Sequence, residues 1–244
     1  MIIETMTDRD IVQQMDLDMP EVRKKATEKL IFVGFRRQII KATTFPVSAS
    51  PFVVTTSRRN RWIVILRARS RKEKKRPTLD HSTFVCMAPF QEGIYAFVYS
   101  ALFRPDEGHK NVGLSIFRPH FFARYKLRYE LDETGIDLIG RYFVRNNSLY
   151  RDFQLPYTDD VPMIGRKVYA TSEQGIALGE IKSDTAVLFR TYISYDMMYD
   201  GQVPEFTRSE ILRQQGMRKY EIQQENSYPQ GVWNTPSIDN ECEE

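Results

Sequence analysis

The sequence predicts an α+β fold, an antiparallel sheet with N-terminal helices, a central helix pair and a C-terminal helix. Apolar residues recur at helical spacing before residue 42. Short β-branched and aromatic runs follow one another at hairpin spacing over 52–117 and 167–194, and helix-start signals stand at Thr7, Pro119 and Thr207. With 244 residues, 41% hydrophobic and 12% aromatic, the chain can build one substantial core. Residues 1–225 read as a single domain. Residues 226–244 are poor in apolar side chains and close on Asp239, Glu241, Glu243 and Glu244, which predicts a disordered acidic tail.

Taken in order, Thr7-Asp8-Arg9-Asp10 pairs a capping hydroxyl with an acid three residues on and opens a short helix to about Met15. Pro20 suits the first position of a second helix, whose face of Val22, Ala26, Leu30, Val33 and Ile40 runs to about Ala42. Strands follow at 52–55 and 62–69 around the turn Ser57-Arg58-Arg59-Asn60. In the second strand Trp62, Val64, Leu66 and Ala68 share the core face, while Ile63, Ile65, Arg67 and Arg69 share a face that becomes solvated at its end. Strands at 83–87, 94–102 and 113–117 extend an antiparallel meander through residue 117. The central helix pair runs from Pro119 to about Leu131 and from Ile136 to Asn146-Asn147. The segment 149–162 has two prolines and several acids and reads as a loop able to cover a site; strands at 167–171, 176–181 and 186–194 follow. Thr207-Arg208-Ser209-Glu210 is a stronger capping box for a helix over 207–224. No internal repeat is visible.

Several function classes are set aside by what the chain lacks. Cys86 and Cys242 form neither a disulfide framework nor a C-x-x-C pair, and His81, His109 and His120 stand far apart. With no glycine-rich phosphate loop and no dinucleotide fingerprint either, no metal and no cofactor are expected. No apolar stretch approaches the roughly 20 residues of a membrane span, and the start lacks the order of a secretion signal. A soluble cytoplasmic protein without a membrane partner is the expectation.

Charge is polarised rather than large. The net is +3, yet Arg58, Arg59, Arg61, Arg67, Arg69, Arg71, Lys72, Lys74, Lys75 and Arg76 stand against the single Glu73. Such a hairpin and loop can lie along a phosphate backbone, with Trp62 or Tyr95 near enough to stack on a base. A solvated loop whose charges keep a sheet edge from pairing would have the same composition.

The run Arg118-Pro119-His120-Phe121-Phe122-Ala123-Arg124-Tyr125-Lys126-Leu127-Arg128 carries the most specific chemistry. Pro119 marks the helix start, and the four-residue spacing puts His120, Arg124 and Arg128 on one stripe. An imidazole beside two permanent cations can hold a phosphate and move a proton. Phe117, Phe121, Phe122, Tyr125 and Tyr129, at helical spacing, read as core. With the helix-two run Gly135-Ile136-Asp137-Leu138-Ile139 and the strand Leu188-Phe189-Arg190-Thr191-Tyr192-Ile193-Ser194, the order helix, helix, antiparallel strands over 118–194 resembles the metal-independent ribonucleases of the barnase, EndoU and RelE superfamily, especially its toxin-like members.

That resemblance implies RNA as the partner, His120 as the proton-transfer residue, Arg124 and Arg128 as phosphate clamps, and Thr191 or Arg190 as an auxiliary on the last strand. Strand alternation favours Thr191 if the helices cover the Val187 and Phe189 face, and Lys167 or Tyr169 would supply a further cation or hydroxyl. The segment holds no second His, leaving Glu173 or Glu180 as substitutes. A cognate protein inhibitor would suit a toxin-like enzyme. The alternatives are a non-catalytic nucleic-acid-binding or phage- or plasmid-associated accessory protein, or a structural interaction protein.

Overall fold

The computed structural model describes residues 1–31, 33–74, 78–103, 110–146, 150–153 and 164–197, together with Ile211 and Gln214. Two N-terminal helices, α1 (Asp8–Ile31) and α2 (Val33–Lys41), precede the strands β1 (Val47–Ser48), β2 (Phe52–Thr55), β3 (Arg61–Ile65), β4 (Arg67–Ala68), β5 (Thr83–Phe90), β6 (Gly93–Phe103) and β7 (Lys110–Phe117). The central pair α3 (Pro119–Arg128) and α4 (Gly135–Arg145) follows, then β8 (Tyr150–Phe153), β9 (Lys167–Thr171), β10 (Gly175–Ser183) and β11 (Ala186–Ser194). The fold is mixed α/β, with four helices among the described residues and a large, mostly antiparallel sheet. No helix among those residues is long and apolar enough to cross a membrane.

Helix α1 is one continuous helix, where the sequence predicts two separated near Pro20. Thr7 opens it with the expected capping box: its Oγ1 accepts from the Asp10 amide at 3.3 Å, and Asp10 Oδ2 accepts from the Thr7 amide at 3.0 Å. Pro20 then lies inside the helix. Ile11, Met15, Val22, Ala26 and Leu30 are each at most 3% exposed. Burying each larger side chain is worth about 1.5–3 kcal/mol, so together they exceed the roughly 3 kcal/mol that an interior proline costs.

Among the described residues nine strands form one sheet in the order β2-β3-β5-β6-β7-β11-β10-β9-β8, while β1 and β4 pair separately. Each half of the chain therefore puts helices before an antiparallel meander that ends on its innermost strand. The halves meet where β11 pairs with β7, and this pairing is parallel, with Leu114, Ser115, Ile116 and Phe117 opposite Ala186, Val187, Leu188 and Phe189. The prediction of antiparallel pairing alone is corrected at this seam.

Helices cover both faces of the sheet centre. Under α1 and α2 lie Val54, Trp62, Val64, Cys86, Phe97, Leu114, Ile116 and Leu188. Under α3 and α4 lie Ile63, Ile65, Val85, Met87, Ala96, Phe117, Val187 and Phe189. The Ile63 and Ile65 face is thus as buried as the Trp62 face, and Arg67, expected at its solvated end, is only 4% exposed. The buried carboxylate of Asp18 ties the β2–β3 hairpin to α1, with Oδ2 accepting from Asn60 Nδ2 at 2.7 Å and Trp62 Nε1 at 3.1 Å.

A β-bulge interrupts β11, where Leu178 pairs with Thr191 but Gly179 pairs with Phe189, so Arg190 has no opposite residue. Gly179 is needed beside it, since a Cβ there would lie 2.2 Å from the Leu188 carbonyl oxygen. Leu149 and segment 154–162 of the predicted loop lie outside the described residues, and Tyr150–Phe153 is strand. Of the predicted 207–224 helix only Ile211 and Gln214 are described, both helical, and the 226–244 tail lies outside. Gly179→Ala is expected to destabilise the protein by about 2–4 kcal/mol, read as a lower urea midpoint with an unchanged slope.

Candidate functional site

Helix α3 springs from the end of β7. Phe117 is fully buried, Arg118 is extended at the N-cap (φ −78°, ψ 158°), and Pro119 takes the first helical turn. Phe121, Phe122 and Tyr125 turn into the core against β11. That leaves His120 exposed and Arg124 and Arg128 half-buried on the flank of the helix. The predicted stripe is partly realised as a contact: Arg124 Nε donates to His120 Nε2 at 3.1 Å. Arg128 lies one turn further on, and its Nε is buried without a hydrogen-bond partner among the described residues.

Beside the helix start, Arg118 Nη2 donates to Glu92 Oε1 at 2.6 Å, and the Tyr95 hydroxyl donates to Glu92 Oε2 at 2.7 Å. These bonds, that from Arg118 first, hold the Glu92 carboxyl below its ordinary value and raise the Arg118 guanidinium. Burial, and then Glu92, push the Tyr95 phenol up.

The bulge overturns the expected alternation on β11. It carries Tyr192 onto the α3 face with Val187 and Phe189, all three within one core cluster. Thr191 is paired with Leu178, which packs against Tyr169 and Ile176 in a different cluster, and so turns away from α3. Arg190 is exposed and ion-paired with Glu180, and Lys167 stands opposite Glu180 in register. Glu173 acts electrostatically on Arg67 and Tyr142. Among the described residues Arg124 is the hydrogen-bond partner of His120.

The cationic run is divided rather than continuous. Arg58, Arg59 and Arg61 lie at one end of β3 and Arg69, Arg71 and Lys72 beyond the other, and β3 alone spans about 13 Å at roughly 3.3 Å per residue. Arg58 Nη1 donates to the Leu17 carbonyl at 3.0 Å and sits 3.7 Å from Asp18. Arg71 Nη2 donates to the Ala42 carbonyl at 2.8 Å, just past the end of α2, where a cation favours the helix dipole. Arg59 takes a left-handed turn conformation (φ 63°) and, like Arg61 and Lys72, is exposed. The Lys74 side chain and Lys75 and Arg76 lie outside the described residues.

Arg67 is structural. Its Nη2 donates to the carbonyls of Phe143 at 3.3 Å and Val144 at 3.4 Å, and its Nε to Ser48 Oγ at 3.0 Å. Burial pulls its guanidinium down to about 10, against the raising effect of Glu173, so it stays charged at neutral pH. His81 is half-buried and lowered by burial and then by Arg69, while His109 lies outside the described residues. Among the described residues no group of three or more His, Cys, Asp or Glu is placed to hold a metal ion.

Sequence reasoning missed a polar cluster at the other end of α3. Tyr125 donates to Gln174 Oε1 at 2.9 Å, Tyr129 to the Gln174 carbonyl at 2.6 Å, and Asn146 Nδ2 to Gln174 Oε1 at 3.0 Å. Ser172 Oγ and the Gln174 amide donate to Asn146 Oδ1 at 2.8 and 3.1 Å, which locks the β9–β10 turn to the end of α4. The four-residue spacing of Tyr125 and Tyr129 was the available signal, but their partners come from distant segments.

Comparison with protein-family models, with curated proteins and with solved structures finds no match to this chain.

Two measurements test these assignments. Arg67→Ala is expected to cost about 3 kcal/mol by chemical denaturation, whereas exposed Arg61→Ala stays within about 0.5 kcal/mol of the parent. Burial, and then Tyr129, push the Tyr125 phenol up to about 12, and burial also raises Tyr142 and Tyr192. A raised phenol contributes stability fully present below the unfolded value near 10 and lost as pH rises through the folded value. Circular dichroism should therefore show alkaline unfolding between about pH 10 and 12, accompanied by a cooperative rise in tyrosinate absorbance.

Proposed function

We propose that this protein is nucleic-acid-directed and acts as a metal-independent, toxin-like endoribonuclease through the exposed flank of α3. The observation that carries the proposal is the Arg124–His120 hydrogen bond of 3.1 Å at an exposed helix start. The bond engages the Nε2 lone pair and assigns the N–H to Nδ1, so Nε2 becomes the proton acceptor of the proposed reaction when a phosphate draws the Arg124 guanidinium off the imidazole. The order of two helices followed by the four-stranded antiparallel meander β8–β11 also supports this reading.

In the proposed reaction His120 takes the proton of a ribose 2′-hydroxyl, and the 2′-oxygen attacks the adjacent phosphorus. Arg124 and Arg128 stabilise the charge that grows on the phosphoryl oxygens, Arg being shaped for bidentate contact. The bond to the 5′-oxygen breaks, leaving a 2′,3′-cyclic phosphate, and water supplies the proton to the departing oxygen. Neither Arg190, paired with Glu180, nor Thr191, turned away from α3, is given a proton-transfer role.

Non-catalytic binding of nucleic acid is the second reading. It is favoured by the absence, among the described residues, of a second acid or base hydrogen-bonded to His120.

Labelled RNA incubated in chelator tests the choice. His120→Ala should lower cleavage at least about 100-fold and leave the circular dichroism spectrum unchanged, since the ring is exposed. Equal cleavage by the variant would remove the catalytic proposal.

A further inference from the structure

The parallel seam leaves a notch in the sheet. β7 stops at Phe117, which stands opposite Ala96 of β6 and Phe189 of β11. Both flanking strands continue past that point, β6 through Tyr95, Ile94 and Gly93 and β11 through Arg190 to Ser194. The chain leaves the gap by turning through Arg118 and Pro119 into α3, with Pro119 packed so near Gly93 that a Cβ there would come within 3.1 Å. Two strand spacings, about 10 Å, separate β6 from β11 above the end of β7.

Two guanidinium groups flank this notch on the face that α1 covers elsewhere. Arg118 reaches Glu92, which also holds the hydroxyl of Tyr95, and the cross-strand partner of Tyr95 is Ala88 in the core under α1. Arg190 reaches Glu180, whose cross-strand partner Leu188 lies in that same core. The Arg118 amide donates to the Phe189 carbonyl at 3.2 Å, so the backbones of Arg118 and Arg190 are neighbours across the seam. The order across the sheet is carboxylate, guanidinium, guanidinium, carboxylate.

Each carboxylate engages its arginine through Nη2 alone. Arg118 also interacts with the Tyr95 hydroxyl, and the Arg118 and Arg190 side chains are 27% and 51% exposed. Two like charges on adjacent strands repel unless an anion stands between them. Here the carboxylates come from the outer members of the set, the β5–β6 turn and β10. A guanidinium has five N–H donors in a plane, more than one carboxylate contact through Nη2 uses, which suits it to phosphoryl oxygens as well.

We infer that Arg118 and Arg190 form a phosphodiester clamp for a single-stranded nucleic acid in the notch at the end of β7. The inference rests on the nucleic-acid-directed part of the proposed function and not on catalysis. His120 follows Arg118 by two residues, less than one helical turn, so the clamp adjoins the start of α3 along the chain although α3 itself covers the other face of the sheet. Glu92 and Glu180 orient the guanidinium groups and compete with the ligand.

The test is fluorescence anisotropy of a labelled ten-nucleotide single-stranded RNA, and of the DNA of identical sequence, with the full chain over a salt series. Arg118→Gln/Arg190→Gln should weaken both at least tenfold and reduce the slope of log affinity against log salt by about 1.4, for two phosphates at roughly 0.7 each. Glu92→Gln/Glu180→Gln should bind several-fold more tightly, which keeps the clamp testable if the arginine variant fails to fold. Unchanged affinity and slope in the arginine variant, no gain in the glutamine-for-glutamate variant, or no binding by the parent chain would each overturn the clamp. Cleavage is read in the same samples. Binding that depends on Arg118 and Arg190 without cleavage by the parent leaves the clamp standing and removes the ribonuclease.

Discussion

Burial of one sheet from both sides is the constraint on which the rest of this structure depends. A strand covered on one face alternates apolar and polar residues, but a strand covered on both cannot. In β3 the consecutive residues Trp62, Ile63, Val64 and Ile65 are all fully buried, two under α1 and two under α3 and α4. The same demand keeps α1 intact through Pro20, because a break there would strip cover from the central strands. It also explains Arg67, which follows the buried strand as the first residue of β4 and is fixed by the carbonyls of Phe143 and Val144 in the last turn of α4.

Polar groups at the rims orient the helices that this burial holds down. Asp18 ties α1 to the β2–β3 hairpin, and Gln174 with Asn146 ties α3 and α4 to the β9–β10 turn. Between those anchors α3 has little freedom to roll, since Phe121, Phe122 and Tyr125 are all buried. His120 therefore owes its exposure, and Arg124 its half-exposed position, to residues on the opposite side of the same helix. Their placement follows from packing, and their chemistry from what packing leaves outside.

Much of the element order was legible in the sequence because it rests on local signals. The capping box at Thr7, Pro119 at the start of α3, and the strands 167–171 and 186–194 all appear where periodicity and turn residues put them. What was not legible depends on distant partners. Nothing local marks β7 and β11 as parallel neighbours, and without that pairing neither the second covered face nor the burial of Arg67 can be deduced. The bulge at Arg190 is similarly silent: one unpaired residue reverses the side on which Tyr192 and Thr191 stand. At the candidate site, the four-residue spacing of His120 and Arg124 was readable, whereas the approach of Arg118 to Arg190 required the seam.

That seam also sets the kind of folding problem the chain poses. The β5–β6 and β10–β11 hairpins join strands only a few residues apart, so their pairing needs little search. Leu114 meets Ala186 only after the chain has travelled through two helices and three strands. Closing so long a loop adds little to the equilibrium cost, because loop entropy grows only with the logarithm of length, but contacts of such high separation slow folding. Stability gained at the seam is thus held jointly by the two meanders, and each presents its innermost strand as an unpaired edge until the other arrives.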